Sequence, residues 1–126
     1  MIKVFIPTDK DFNYKECKKM YKKYQRLIGD DQEFRDVVRN TFFYSFFDDD
    51  KHIGCIYYYV KFGKLFVNAF AHRHTHEINI ACLKKTFEWF SGNIYAETRH
   101  KTAIFCLYKC GFKKLRNNIY VLEREL

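Results

Sequence analysis

Residues 94–113 constrain this chain more than any other stretch. Ile94-Tyr95-Ala96-Glu97 is short and β-prone, and a polar loop follows it. The segment Lys101 to Cys110 then places Ile104 and Leu107 on one side, with Gly111 at its end. That spacing predicts a helix, and glycine stops it because it enters the left-handed region without steric cost. A new strand begins at once with Phe112, and a last apolar run covers Ile119 to Leu122. The stretch reads as strand, loop, helix, strand.

Earlier segments extend the pattern. Residues 2–6 predict a short strand. From Phe12 to Ile28, apolar residues at 17, 20, 21, 24, 27 and 28 form a helical stripe. The opposite face carries Lys15, Lys18, Lys19, Lys22, Lys23 and Arg26. Gly29-Asp30-Asp31 ends that helix, and a shorter one is expected over 32–39. Thr41 to Phe47 is aromatic and β-prone. Ile53 to Val60 is apolar on both faces, as a central strand should be. Phe62-Gly63-Lys64 predicts a turn, and Leu65 to Ala71 a fourth strand. A helix over about 77–91 should bury Ile80, Leu83, Phe87 and Phe90, with Gly92 as its cap. Strand 93–97, helix 101–110 and strands near 112–116 and 118–124 complete the order β-α-α-β-β-β-α-β-α-β-β.

Length and composition fit one domain spanning 1–126. The 126 residues suffice for one core, and 48% hydrophobic content argues against disorder. No apolar run reaches membrane-spanning length, and the N-terminal segment is too short for a signal peptide, so no membrane partner is expected. The five cysteines are odd in number and contain no Cys-x-x-Cys, which predicts reduced thiols in a cytosol. A net charge of +8 favours anionic partners.

The element order, with Ala103-Ile104 in the last helix and Cys110-Gly111-Phe112-Lys113 at its end, resembles the GCN5-related N-acetyltransferase (GNAT) family. The resemblance implies an α/β (α+β) fold: a mixed, mostly antiparallel, twisted sheet of about seven strands flanked by about four helices. It implies that the fourth and fifth strands, 65–71 and 93–97, splay apart. The pantetheine arm of acetyl-CoA would lie in the gap along Phe70 and Ala71. Its pyrophosphate would meet the loop 72–79 at the start of the next helix, where free N–H groups and the helix dipole favour anions.

The chain departs from that pattern in two places. The family's loop has Arg or Gln, two residues, Gly, one residue, then Gly or Ala. Here the aligned stretch is His74-Thr75-His76-Glu77-Ile78-Asn79, without glycine. Glu77 adds negative charge to the first helical turn, while Arg73, His74 and His76 can offset it. In the last helix, His100 stands where many relatives carry Asn. Leu107 stands where they carry the Tyr that protonates the departing thiolate. Tyr108 is the adjacent candidate acid, although one residue of helix is about 100° of rotation. Glu97 and His72, at the ends of the splayed strands, are the candidate bases. A solvated strand end is the plain reading of each. His72, His74 and His76 alternate, but no Asp or Cys partner has fitting spacing, and no metal is expected.

Three functions compete at this point. The first is an acyltransferase moving an acetyl group from acetyl-CoA to an unknown amine or protein acceptor. The second is a non-catalytic protein on the same scaffold, similar to small phage-encoded chains, acting in the host cytoplasm or in the virion with virion partners. The third is a module that binds nucleic acid or an acidic protein through the basic helix 15–26.

Overall fold

The computed structural model describes residues 1–72 and 76–124. These form β1 (Ile2–Phe5), α1 (Tyr14–Ile28), α2 (Phe34–Asn40), β2 (Phe42–Asp48), β3 (Lys51–Lys61) and β4 (Lys64–Ala71). The chain continues with α3 (His76–Phe87), β5 (Ile94–Glu97), α4 (Lys101–Lys109), β6 (Lys113–Arg116) and β7 (Ile119–Leu122). Element for element this is the expected order. The strands share one sheet in the spatial order β1-β2-β3-β4-β5-β7-β6.

Strands β1 to β4 run as consecutive antiparallel neighbours, because tight turns join β2 to β3 and β3 to β4. The second turn is Phe62-Gly63, with φ of 54° and 70°. Two successive left-handed residues match the twist of a two-residue hairpin. Strands β4 and β5 are parallel, as a helical crossover through α3 requires. Strands β7 and β6 then close that end antiparallel.

The two faces carry separate cores. Cys17, Met20 and Tyr21 of α1, with Phe34 and Val37 of α2, pack on Phe43, Cys55, Tyr57 and Phe70. On the other face, Cys82, Leu83 and Phe87 of α3 and Leu107 of α4 pack on Ile56, Tyr58 and Val67. Strand β3 therefore supplies both cores by alternation, which accounts for its apolar character on both sides. Ile80 and Phe90, expected to be buried, are only partly so at the margin of that second core, as is Ile104. The basic side chains of α1 all face solvent. Leu27, counted in its apolar stripe, is also exposed.

One irregularity breaks the alternation. Phe46 pairs with Gly54, but Phe47 pairs with His52, so Ile53 is an extra residue in β3. Such a bulge inverts the parity of everything beyond it. Ile53 joins the α3/α4 core, and His52 turns to the same face as Cys55.

Two helix ends show how the chain stops its helices. Gly111, with φ of 97°, follows α4. The Phe112 N–H donates to the Leu107 carbonyl and the Gly111 N–H to the Tyr108 carbonyl, the paired bonds of a glycine-terminated helix. Helix α3 ends at Phe87 and not near 91. Glu88, Trp89 and Phe90 donate to residues three back, a tightened turn. The Arg124 guanidinium donates to the carbonyls of Phe87, Phe90 and Gly92 at 2.6, 2.6 and 2.8 Å, so the last turn is capped by a residue just beyond β7. Phe90 still packs as its spacing predicts, stacking on Tyr58 at 4.2 Å.

Candidate active site

Strands β4 and β5 share a single paired position, Phe66 with Tyr95. Beyond it the β4 edge from Val67 to Ala71 has no ladder to β5 among the described residues. A cleft of about 520 Å³ occupies this opening. It is bordered by Tyr24, Leu27 and Ile28 from one face of the sheet and by Leu83, Ala103 and Leu107 from the other. The gap thus reaches both faces of the sheet. Glu97 and His72, at the C-terminal ends of the two parallel strands, both border it.

Glu97 is half-exposed and accepts a hydrogen bond from the Lys61 ammonium at 3.0 Å. It ends β5 two residues beyond the Phe66–Tyr95 pair, close to where the strands part. His72 lies six residues beyond Phe66, roughly 20 Å along the strand at about 3.3 Å per residue. Its backbone N–H donates to the Ile53 carbonyl at 3.1 Å. Burial, then the neighbouring His52 and Lys23, holds the His72 imidazole below its ordinary pKa, favouring the neutral ring. Two candidate bases thus sit at different depths of one cleft.

The remaining expected residues divide. Phe70 and Ala71 border the cleft, with Phe70 anchored between Tyr21 at 5.7 Å and Phe43 at 6.3 Å. His100 borders it from the N-cap position of α4, where its side chain makes no capping bond. Glu77 is exposed in the first turn of α3, as the spacing predicts. Arg73, His74 and Thr75, expected at the phosphate loop, lie outside the described residues, as does the side chain of His76. Tyr108 is placed away from the cleft: it is 52% exposed and meets Tyr120 edge to face at 5.8 Å. Leu107, one residue earlier, is the one that faces the cleft, and it is 6% exposed.

Sequence reading missed Asn68. Its Nδ2 donates to the Ile28 carbonyl at 3.2 Å and to the Tyr57 hydroxyl at 3.0 Å. Tyr57 in turn donates to Asp30 Oδ2 at 2.7 Å. This network pins the end of α1 over the middle of β4 and so fixes one wall of the cleft. Burial, reinforced by Asp30, raises the Tyr57 hydroxyl far above the phenol range and keeps it a donor. Tyr59 is likewise pushed up to about 12 by burial, then by Glu97. The available signal was a lone amide in an otherwise apolar strand. Thr98 and Cys106 also border the cleft. Burial raises the Cys106 thiol, which keeps it protonated.

Solved structures share this fold over nearly the full chain. An N-acetyltransferase from Staphylococcus aureus Mu50 superposes with a TM-score of 0.73 at 12% identity, covering 98% of this chain and 97% of that one. This chain has the GNAT fold. An aminoglycoside acetyltransferase in complex with coenzyme A matches with a TM-score of 0.67 at 13% identity, over 98% and 95% of the two chains. The ribosomal-protein-S18-alanine N-acetyltransferase from Escherichia coli gives 0.61 at 14%, over 98% and 94%. No family model and no curated protein matches the sequence. The GNAT likeness is therefore carried by backbone geometry over nearly the whole chain. No helix among the described residues is long and apolar enough to cross a membrane.

Proposed function

We propose that the protein transfers an acetyl group from acetyl-CoA to an amine. The observation that carries this reading is the opening of β4 from β5 after one paired position, with the cleft that fills it. An open strand edge offers backbone donors and acceptors to an extended, amide-bearing arm, and the apolar border offers it van der Waals contact. The edge Val67–Ala71 would hold the pantetheine, and the start of α3 would receive the phosphates. When bound, acetyl-CoA supplies an activated thioester.

Glu97 is the base in this reading. It lies near the parting of the strands, it is accessible, and Lys61 orients its carboxylate from the side. The carboxylate takes the proton from the attacking amine, which enters past Tyr24, Leu27 and Ile28. Leu107 has no proton to give, so protonation of the departing thiol falls to solvent. Rate enhancement then rests on positioning. His72 serves the other end of the cleft, near the helix start, where a neutral imidazole donates one hydrogen bond.

The missing acid also supports a second reading, in which the GNAT scaffold is retained without catalysis. One experiment separates the two. Release of free thiol from acetyl-CoA is measured with a panel of amines, alongside a thermal-shift titration. Ligand at about 100 times its dissociation constant stabilises by about 2.7 kcal/mol. Glu97→Gln should lower kcat by about 10²- to 10⁴-fold, with the acetyl-CoA dissociation constant unchanged. Acetyl-CoA binding without turnover for any amine supports the scaffold reading. No binding at all removes the acetyl-transfer proposal.

A further inference from the structure

The α1 face of the sheet holds a second cluster beside the cleft, whose border Cys55 shares. Cys17 of α1, Ser45 of β2, and His52 and Cys55 of β3 meet there, all buried. Cys17 Sγ lies 3.3 Å from Ser45 Oγ, which lies 3.0 Å from His52 Nε2. Cys55 Sγ lies 3.6 Å from the same nitrogen. The two sulfurs and the imidazole nitrogen all fall within 4.8 Å of one another. The bulge at Ile53 makes this possible, because a regular strand sends residues three apart to opposite faces.

Hydrogen bonding alone does not satisfy the cluster. His52 Nδ1 is buried and has no hydrogen-bond partner. If Nε2 accepts from the thiol or hydroxyl, the Nδ1 proton has no acceptor. If Nε2 donates, the Nδ1 lone pair has no donor. Glu16 Oε1 stands 3.9 Å from Nδ1, too far for a hydrogen bond but on the correct side. Phe47 stacks on the ring at 4.5 Å and holds its plane.

We propose that Cys17, His52 and Cys55 bind a divalent ion of the zinc type, with Ser45 Oγ at the fourth vertex. Two thiolates and an imidazole are soft to borderline ligands and select zinc over magnesium or calcium. The charges close: the ion's two positive charges meet two thiolates, and the two thiol protons pass to solvent on binding. Ligation at Nε2 fixes the proton on Nδ1 and aims it at Glu16, the carboxylate–histidine–metal arrangement. All four ligands are buried protein side chains, so the role of the site is to tie α1 to the sheet and not to hold a reactive water.

The test uses the full chain, stripped with a chelator and titrated with cobalt(II). Cobalt should bind one per chain, showing a thiolate charge-transfer band and tetrahedral visible bands that zinc bleaches. Cys17→Ser and Cys55→Ser should lose the charge-transfer band or weaken binding by at least about 100-fold. Glu16→Gln should weaken it about 10- to 100-fold while circular dichroism stays native. Cys110→Ala, altered in the opposite core, should keep the spectrum. Folded wild-type protein that gives no cobalt bands overturns the proposal. So does a spectrum unchanged in both Cys17→Ser and Cys55→Ser. Because the wild-type titration alone can refute the site, a variant that fails to fold leaves the test intact.

Discussion

The contact between α3 and β3 can be dissected by a double-mutant cycle on Tyr58 and Thr86. Both are fully buried, and their oxygens lie 2.6 Å apart. Thr86 Oγ1 also donates to the Leu83 carbonyl at 2.6 Å. A hydroxyl has one proton, so Tyr58 must be the donor to Thr86. Tyr58→Phe removes that donor and leaves Thr86 still bonded to Leu83, at a cost of about 0.5–1.5 kcal/mol. Thr86→Val keeps the shape and a similar helix propensity but strands the Tyr58 hydroxyl, at about 1–3 kcal/mol. With both oxygens gone, nothing polar is left unpaired between them. The double variant should therefore cost nearer to Tyr58→Phe alone than to the sum, a coupling of roughly 1–2 kcal/mol. Urea denaturation monitored by circular dichroism, with equal m values for all four proteins, gives the numbers. Additive single effects, or a Thr86→Val cost below that of Tyr58→Phe, would refute the donor assignment.

Three further outcomes follow from other places in the structure. Leu83→Ala should cost about 2–5 kcal/mol in the same denaturation assay, since Leu83 is buried in the α3/α4 core; a loss under about 1 kcal/mol would show that this face of α3 is not packed. Gly54→Ala should cost about 1–3 kcal/mol, because a Cβ there would sit 2.5 Å from the Phe70 carbonyl oxygen and 2.7 Å from the Ala71 Cβ, and backbone must move to admit it. An unchanged urea midpoint would mean that β4 yields freely. Glu77→Gln should tighten acetyl-CoA by up to about 1 kcal/mol, read by calorimetry, by removing a negative charge from the first turn of α3; weaker binding in the variant would show that the phosphates do not meet that turn.

The parts of the fold that could be read from sequence are those set by local rules. The turn at Phe62-Gly63 and the crossover helix between β4 and β5 determined which strands pair and in which direction. The length of α3 was overestimated because the apolar spacing continues through Phe90, while the helix stops where Arg124 takes its carbonyls. That contact spans more than thirty residues and has no local signature. The metal-like cluster was invisible for a different reason. Period-two alternation separates His52 from Cys55, and only the extra residue Ile53 reunites them. Asn68 was missed because its partner is the Ile28 carbonyl, forty residues away. The position of Glu97 and His72 at the border of the cleft was legible because a strand end is itself a local feature.

The Arg124 cap also bears on how the molecule is made. Strands β1 to β4 pair in sequence order, so that half of the sheet can assemble as it emerges from a ribosome. Helix α3 emerges next, but the carbonyls that close its last turn wait for Arg124, more than thirty residues further along the chain. Until Arg124 arrives, the nascent chain should hold a frayed α3 beside a nearly complete meander. In the purified protein, Arg124→Ala should become cleavable by protease around 87–92, where the wild type resists.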